Sequence, residues 1–397
     1  MSYVFIKREN TMGRKPRDKS EEDTAAKIDL KAFLKGSKIK GLELASTLES
    51  SKMSNITEWV STGSYSLNKL VSGDIYKGLP RGRIMALAGP SGVGKSYICG
   101  NAIREAQKLG YTIMVFDSEN AIDKDFLGRI GVNVEDVIHI PVITVTEMRN
   151  TIIKMMDEFM LQFPKEKLFI VIDSLGGLTT TKAYEDIEAD KSAQDMGLRA
   201  KQLRDAAKLF THAVAKHQAC MLVTNHTYEK PPANPHMAPE IQFGGGEGFV
   251  YATSGIVYLK KSAIKEEVTS LIDNKTKKVK TGNTLKATSQ KNRFVPEGMT
   301  GEIYLSYEKG MNKWFGLLED ALEFGFFTES SAGYYNVPHL NKKVSKKDVY
   351  LSENWVGMID ALAEKIREKY RYVPTTTMEE VEADMVDGSE AEKKEDD

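Results

Sequence analysis

The stretch Ile84-Met85-Ala86-Leu87-Ala88, continuing into Gly89-Pro90-Ser91-Gly92-Val93-Gly94-Lys95-Ser96 and then Tyr97-Ile98-Cys99, decides how the rest of the chain is read. An apolar run of strand length, a glycine-rich loop and an apolar helical pattern follow one another without a break. The loop satisfies G-x-x-x-x-G-K-[ST], and its position between strand and helix is the one its chemistry requires. Glycines let backbone N–H groups turn toward phosphate oxygens, and the helix N-terminus favours their negative charge. Lys95 reaches the β- and γ-phosphates, and the Ser96 hydroxyl ligates Mg²⁺. Residues 89–97 are thus the expected nucleotide-binding loop of an enzyme that uses ATP or GTP.

Outward from this loop, runs of strand length recur at residues 112–117, 137–140, 169–173, 220–225 and 255–259, alternating with helical patterns at 95–109, 146–163 and 196–216. Such alternation predicts an α/β fold with a largely parallel central sheet and helices on both faces. The predicted domains are a disordered N-terminus (1–22), an oligomerisation segment and linker (23–60) with a short helix at 25–34, and an ATPase core (61–315). A small α/β appendage (316–372) and an acidic disordered tail (373–397) follow. Within the appendage, helices are expected near 317–324 and 353–370, and a strand at 333–337. The lysine-rich stretch 260–286 predicts a hairpin or a flexible excursion.

The 397 residues carry a net charge of −1, which conceals an asymmetry. Ten acidic residues against Lys393 and Lys394 give residues 379–397 a charge of −8, leaving +7 on the rest. A mildly basic body with an acidic tail suits a nucleic-acid binder whose tail competes with the polyanion, and equally a tail that only solubilises. No run approaches the ~18 apolar residues of a membrane span, and the N-terminus lacks a secretory signal, so a cytoplasmic protein is expected. Cys99 and Cys220, far apart in apolar settings, read as small core residues of a reducing compartment.

Two carboxylates extend the site. Asp173 ends the apolar run Phe169-Ile170-Val171-Ile172, the form of the second metal-side motif, and would bind the Mg²⁺ hydration shell. Glu119 follows the strand at 112–117, where it suits a group that orients or deprotonates an attacking water, or a helix-capping carboxylate.

Further runs carry a resemblance. The entry Ser61-Thr62-Gly63-Ser64 with Gly78-Leu79-Pro80-Arg81-Gly82-Arg83-Ile84, then Asp-Ser-Glu-Asn-Ala-Ile-Asp at 117–123, Ile-Asp-Ser-Leu-Gly-Gly-Leu at 172–178, Asp195-Met196-Gly197-Leu198 and Thr224-Asn225-His226-Thr227-Tyr228-Glu229 stand in the order of the RecA superfamily. The chain resembles its recombinases from about residue 61 to 370. The stretch at 225–229 and Gly244-Gly245-Gly246 are most similar to the UvsX group of tailed bacteriophages.

This resemblance implies a RecA-type ATPase core and a set of roles. Glu119 would be the catalytic base, working with Lys95. Asp123 and Phe126 would hold adenine, Phe126 in place of the family's tyrosine. His226 stands where bacterial RecA proteins have a γ-phosphate-sensing glutamine, and its charge is open to change near neutral pH. Lys291 and Arg293 match a basic pair that contacts ATP on the adjacent subunit, with Arg293 replacing a lysine. Two DNA loops are expected at residues 184–197 and 229–247. Met196, Gly197, Lys201 and Lys208 would serve the first loop, and Gly244, Gly245 and Gly246 the second. The second departs from the family in the proline-rich run at 230–236, with Phe243 or Met237 as the residue inserted between bases.

The function expected is that of an ATP- and Mg²⁺-dependent recombinase. It would form helical filaments on single-stranded DNA and exchange strands with homologous duplex in recombination, repair and recombination-dependent replication. A single-strand-binding protein and a mediator are the further partners expected. A ring helicase with the same core would carry a larger N-terminal domain and lack the appendage. A regulatory paralogue fits less well with intact Lys95, Glu119 and Asp173.

Overall fold

The computed structural model describes residues 29–37, 39, 45–189, 191, 197–230, 240–244, 248–269 and 276–370. The chain divides into two compact units, Met1–Ser51 and Lys52–Asp397. In the first, a helix spans Leu30–Gly36, with the Asp29 carboxylate accepting the amides of Lys31 and Ala32 at 3.0 Å as its N-cap. It starts within the predicted 25–34 span and ends later. Its Leu30 and Phe33 are exposed.

The second unit is built on a ten-stranded sheet. Its strands are β1 (Ile84–Gly89), β2 (Tyr111–Asp117), β3 (Val137–Pro141), β4 (Lys167–Asp173), β5 (Cys220–Lys230), β6 (Glu240–Phe243), β7 (Gly255–Thr269), β8 (Thr276–Asn292), β9 (Thr300–Ser306) and β10 (Gly310–Asn312). The order is β10-β9-β8-β7-β1-β5-β4-β2-β3, with β6 added to β5. Neighbours from β3 across to β7 run parallel, and β8, β9, β10 and β6 pair antiparallel. The α/β class with a mostly parallel sheet is as the alternating pattern requires.

Helices α1 (Lys95–Lys108) and α2 (Lys124–Ile130) cover one face, and α3 (Val145–Gln162) and α4 (Leu198–His217) the other. The period-2 alternation of the strands assigns side chains to these two layers. Ile113, Val115, Phe169, Val171 and Leu222 pack with Ile98, Ala102 and Leu127, while Met114, Phe116, Ile170, Ile172 and Val223 pack with Met148, Ile152, Leu203 and Phe210. Both faces being covered explains why the parallel strands read as unbroken apolar runs. Thr144 and Glu147 start α3 with a reciprocal capping box. Cys99 and Cys220 lie wholly inside the core.

Several elements differ from expectation. β5 continues to Lys230 rather than ending at Asn225, and β7 continues to Thr269 rather than Leu259. In both cases the apolar run stops before the strand does, Tyr228 on β5 and residues 260–263 on β7 being exposed, so hydropathy alone truncates it. The 260–286 stretch is strand on both described sides, β7 pairing with β8 from Thr269↔Thr276 to Gly255↔Asn292. Residues 181–188, which overlap the expected first DNA loop, are helical (Thr181–Glu188). The stem of the expected second loop is the ladder of β5 with β6, Thr227↔Phe243 to Lys230↔Glu240.

Beyond β10, helix α5 (Leu318–Glu323), a three-stranded sheet (Thr328–Ser331, Tyr334–Val337, Lys342–Ser345) and helix α6 (Ile359–Tyr370) surround Phe327 and Trp355. The expected helix at 353–370 begins only at Ile359, because a single turn at Ser352–Asn354 is followed by Gly357 in the left-handed region (φ 90°). This appendage is tied to the core by a buried Lys69–Asp320 ion pair (2.5 Å) and by Tyr76, whose hydroxyl donates to Asp360 at 2.6 Å.

Candidate nucleotide and DNA site

Parallel strands bring their carboxyl ends to one edge of the sheet, and in open α/β sheets that edge is where ligands bind. Here the edge carries Gly89, Asp117, Asp173 and His226: Asp117 is paired with Asp173 in register, and Gly89 with His226. The loop from Gly89 enters α1 through Gly92 (φ 65°) and Gly94 (φ 112°), conformations that L side chains avoid. Pro90, Ser91 and Gly92 are exposed, Val93 is buried in the core, and Ser96 and Tyr97 are half-buried.

Lys95 is 5% exposed, and its ammonium donates to the carbonyls of Gly89 (2.9 Å) and Pro90 (3.0 Å). Burial lowers its pKa, opposed by the charges of Asp173 and Glu119. His226 Nδ1 stands 3.4 Å from the same ammonium, and His226 Nε2 stands 2.6 Å from Glu119 Oε1. Because a carboxylate only accepts, Nε2 carries the proton and Nδ1 faces the lysine as an acceptor. The structure therefore joins Lys95, His226 and Glu119, three residues far apart in sequence, in one polar chain. Gly176 lies against the imidazole, where a Cβ would sit 2.6 Å from His226 Cδ2.

Glu119 also accepts from Ser174 Oγ at 2.5 Å. Burial acts to raise its pKa, but the bonds from Ser174 and His226 and the charge of Lys95 outweigh it, so the carboxyl is held below its ordinary value. The helix-capping alternative does not describe Glu119: the cap of α2 is Asp123, whose Oδ1 accepts the Phe126 amide at 2.8 Å. Phe126 is half-buried, its ring edge-on to Tyr97 at 6.1 Å between centroids.

Asp173 is 2% exposed. Thr224 donates to its Oδ1 at 2.5 Å, while its Oδ2 is buried without a well-formed hydrogen bond. Burial raises its pKa, partly offset by the Thr224 and Ser96 hydroxyls and reinforced by the charges of Glu119 and Asp117. An orphaned buried carboxylate oxygen beside a serine hydroxyl fits a hard, oxygen-seeking cation. Among the described residues no three His, Cys, Asp or Glu side chains gather into a metal cage. Such a cation would complete its shell with water and phosphate oxygens, as Mg²⁺ does.

Of the expected DNA residues, Gly197 begins α4 (φ 77°), and Lys201 and Lys208 lie exposed along that helix. Gly244 follows β6, its amide donating to the His226 carbonyl at 2.8 Å and its carbonyl accepting from Asn225 at 2.9 Å. Met196, Met237, Gly245 and Gly246 lie outside the described residues, as does most of the proline-rich run. Lys291 and Arg293 are not brought to this edge. The Arg293 amide bonds Ser254, whose own amide bonds Ile84, at the opposite end of β1 from Gly89. That is about 17 Å away at ~3.3 Å per residue. Lys291 donates to the Val250 and Tyr251 carbonyls (2.8 and 3.0 Å), and its pKa is lowered by burial and by the charge of Arg293.

Sequence reading did not single out Asp117, His139, Ser174, Arg199 or Thr224. Arg199 donates to the carbonyls of Leu175 and Gly176 (2.8 and 2.9 Å), fixing the start of α4 to the loop after Asp173. These residues act through contacts with other elements of the chain, and only Asp117, Ser174 and Thr224, inside the family's motifs, carried any local signal.

The RecA N-terminal domain family matches residues 24–312. The RecA protein of Anaplasma marginale (strain Florida) is 29% identical over 309 residues, covering 78% of this chain and 79% of that protein. The recombination and repair protein of Enterobacteria phage T4 is 28% identical over 312 residues, covering 77% and 73%. The RecA protein of Frankia alni aligns over 372 residues at 25%, covering 93% and 96%. Bacterial and phage relatives match at nearly equal identity, so the likeness to the phage group rests on the stretches at 225–229 and 244–246. The match over most of its length shows that the chain belongs to the RecA family.

Proposed function

We propose that this chain is an ATP-dependent DNA recombinase: it assembles as a helical filament on single-stranded DNA, hydrolyses ATP when DNA is bound, and exchanges the bound strand into homologous duplex. The observation that carries this reading is β5. Its His226 meets Lys95 and Glu119, and the same strand continues into the ladder with β6 at the base of the expected DNA loop. Nucleotide state and DNA contact thus share one element. The name of the phage T4 relative, a recombination and repair protein, supports the same reading.

The loop amides and Lys95 hold the β- and γ-phosphates of ATP, and Tyr97, Asp123 and Phe126 the nucleoside end. Glu119, kept ionised by its hydrogen bonds, orients the attacking water and accepts its proton. His226 exchanges its contact with Lys95 or Glu119 for the γ-phosphate and moves β5 as it does so. Ser96 and Asp173 hold Mg²⁺, which when bound neutralises phosphate charge. Lys291 and Arg293 act on the nucleotide of the neighbouring subunit, which their position at the far end of the sheet supports. The exposed Leu30 and Phe33 suit a helix that docks on a neighbour, and residues 23–60 are assigned to assembly on that ground.

Met196, Gly197, Lys201, Lys208, Gly244, Gly245 and Gly246 contact the DNA backbone, which gives affinity without sequence preference. Base pairing reads homology. A single-strand-binding protein and a mediator are the natural loading partners, in recombination, repair and recombination-dependent replication in the cytoplasm, that of the bacterial host if the chain is a phage protein. Among the described residues no helix is long and apolar enough to cross a membrane. The test is strand invasion with ATP. Joint molecules with homologous but not heterologous duplex are expected. DNA binding and hydrolysis without them would indicate a regulatory paralogue, and unwinding without pairing a helicase.

A further inference from the structure

Asp117 ends β2 with its side chain wholly buried, and both of its oxygens accept hydrogen bonds. Oδ1 accepts the amide of Glu119 at 2.9 Å, and Oδ2 accepts the amide of Ile122 at 3.2 Å. The carboxylate therefore ties down both ends of the loop that presents Glu119 and leads to Asp123. Backbone amides alone leave a buried carboxylate poorly compensated, the more so with Asp173 paired beside it on β4. The remaining contact comes from β3: His139 Nε2 lies 3.2 Å from Asp117 Oδ2. As with His226, the carboxylate requires the proton on the nitrogen that faces it.

We propose that His139 is a positioning residue for hydrolysis, donating to Asp117 so that Asp117 holds the Glu119 loop in one geometry. This role rests on Glu119 being the base. The imidazole of His139 bonds Asp117 rather than Glu119 or Lys95, so its effect passes through Asp117. Without the donor, Asp117 draws on other partners and the loop loses its register with Ser174 and His226. A displacement of about 1 Å at a catalytic group can cost up to ~10²-fold in rate. Nucleotide affinity, set mainly by the phosphate loop, has no reason to change.

The experiment compares DNA-stimulated ATP hydrolysis of His139→Leu and His139→Gln in the full chain, each also made in a Glu119→Gln background. Glutamine keeps an N–H donor near the position of Nε2, and leucine does not. Expected are a kcat lowered about ten- to a hundredfold for His139→Leu at unchanged KM, recovery to near wild type for His139→Gln, and no further loss when His139→Leu is added to Glu119→Gln. A His139→Gln as slow as His139→Leu, or an additional loss in the Glu119→Gln background, would assign His139 a general structural role and overturn the proposal. Normal turnover of His139→Leu with a slow Glu119→Gln would sink this inference alone. Normal turnover of Glu119→Gln would remove the base assignment, and this inference with it.

Discussion

Glu119 is a carboxylate whose usefulness depends on neighbours from three strands' ends. Replacing it with Gln keeps its size and one acceptor and removes the proposed base, so ATP and DNA binding should persist while hydrolysis falls by ~10²–10⁴-fold. Single-turnover hydrolysis beside nucleotide-binding titrations measures both. The acid limb of the pH profile carries a second expectation. Burial pushes the Glu119 pKa up, and the bonds from Ser174 and His226 more than reverse this, so the carboxyl stays ionised below the ordinary glutamate range. Activity should accordingly hold as pH falls through that range and fail beneath it. Removing one of the lowering bonds with Ser174→Ala should move the limb to higher pH; an unmoved or lower limb contradicts the assignment. That the loop at 89–97, Asp173 and Glu119 stand at strand ends was legible because the pattern places a contiguous loop and carboxylates just after apolar runs. Ser174, Thr224 and His139 were not, since each matters through a partner on another strand, and hydropathy gives strand faces but not register.

At the scale of elements, the alternating pattern was enough to foresee a parallel sheet wrapped by helices, because strands buried on both faces are apolar throughout. It failed where strands run on past their apolar stretch, at β5 beyond Asn225 and β7 beyond Leu259, where burial no longer dictates composition. It also could not foresee how the appendage is attached. Lys69 and Asp320 are 6% and 4% exposed and meet at 2.5 Å between the helix Tyr65–Ser72 and α5. Truncating one partner strands a buried charge, so Asp320→Ala should destabilise by about 3–5 kcal/mol. The apolar pair Lys69→Met with Asp320→Leu should recover most of that loss, because it removes both charges. Urea midpoints of the three variants test this; a destabilisation under about 1 kcal/mol for Asp320→Ala, as at a surface pair, would argue against it.

Over the whole molecule, charge and geometry make separate predictions. Residues 379–397 lie outside the described structure, but their ten carboxylates against two lysines face a body of charge +7. Deleting them should strengthen duplex binding, and more so at low salt than at physiological strength, where the Debye length is ~8 Å. Equal affinity across a salt series would leave the tail a solubilising role. For the basic pair, Lys291→Ala with Arg293→Ala should preserve nucleotide binding by monomers and abolish DNA-stimulated hydrolysis. Extended, active filaments of that double variant would refute the division of labour. The placement of this pair at the foot of β1, with the phosphate loop at its head, has an arithmetic consequence. On the proposed reading of this pair, every subunit would lend its cations in one direction only, so a row of n subunits would contain n − 1 finished catalytic centres and one terminal subunit still wanting a donor. Specific activity per subunit should therefore climb with row length and level off. The unfinished centre would also make the two tips of a row chemically unlike, and so give growth and loss of subunits a direction.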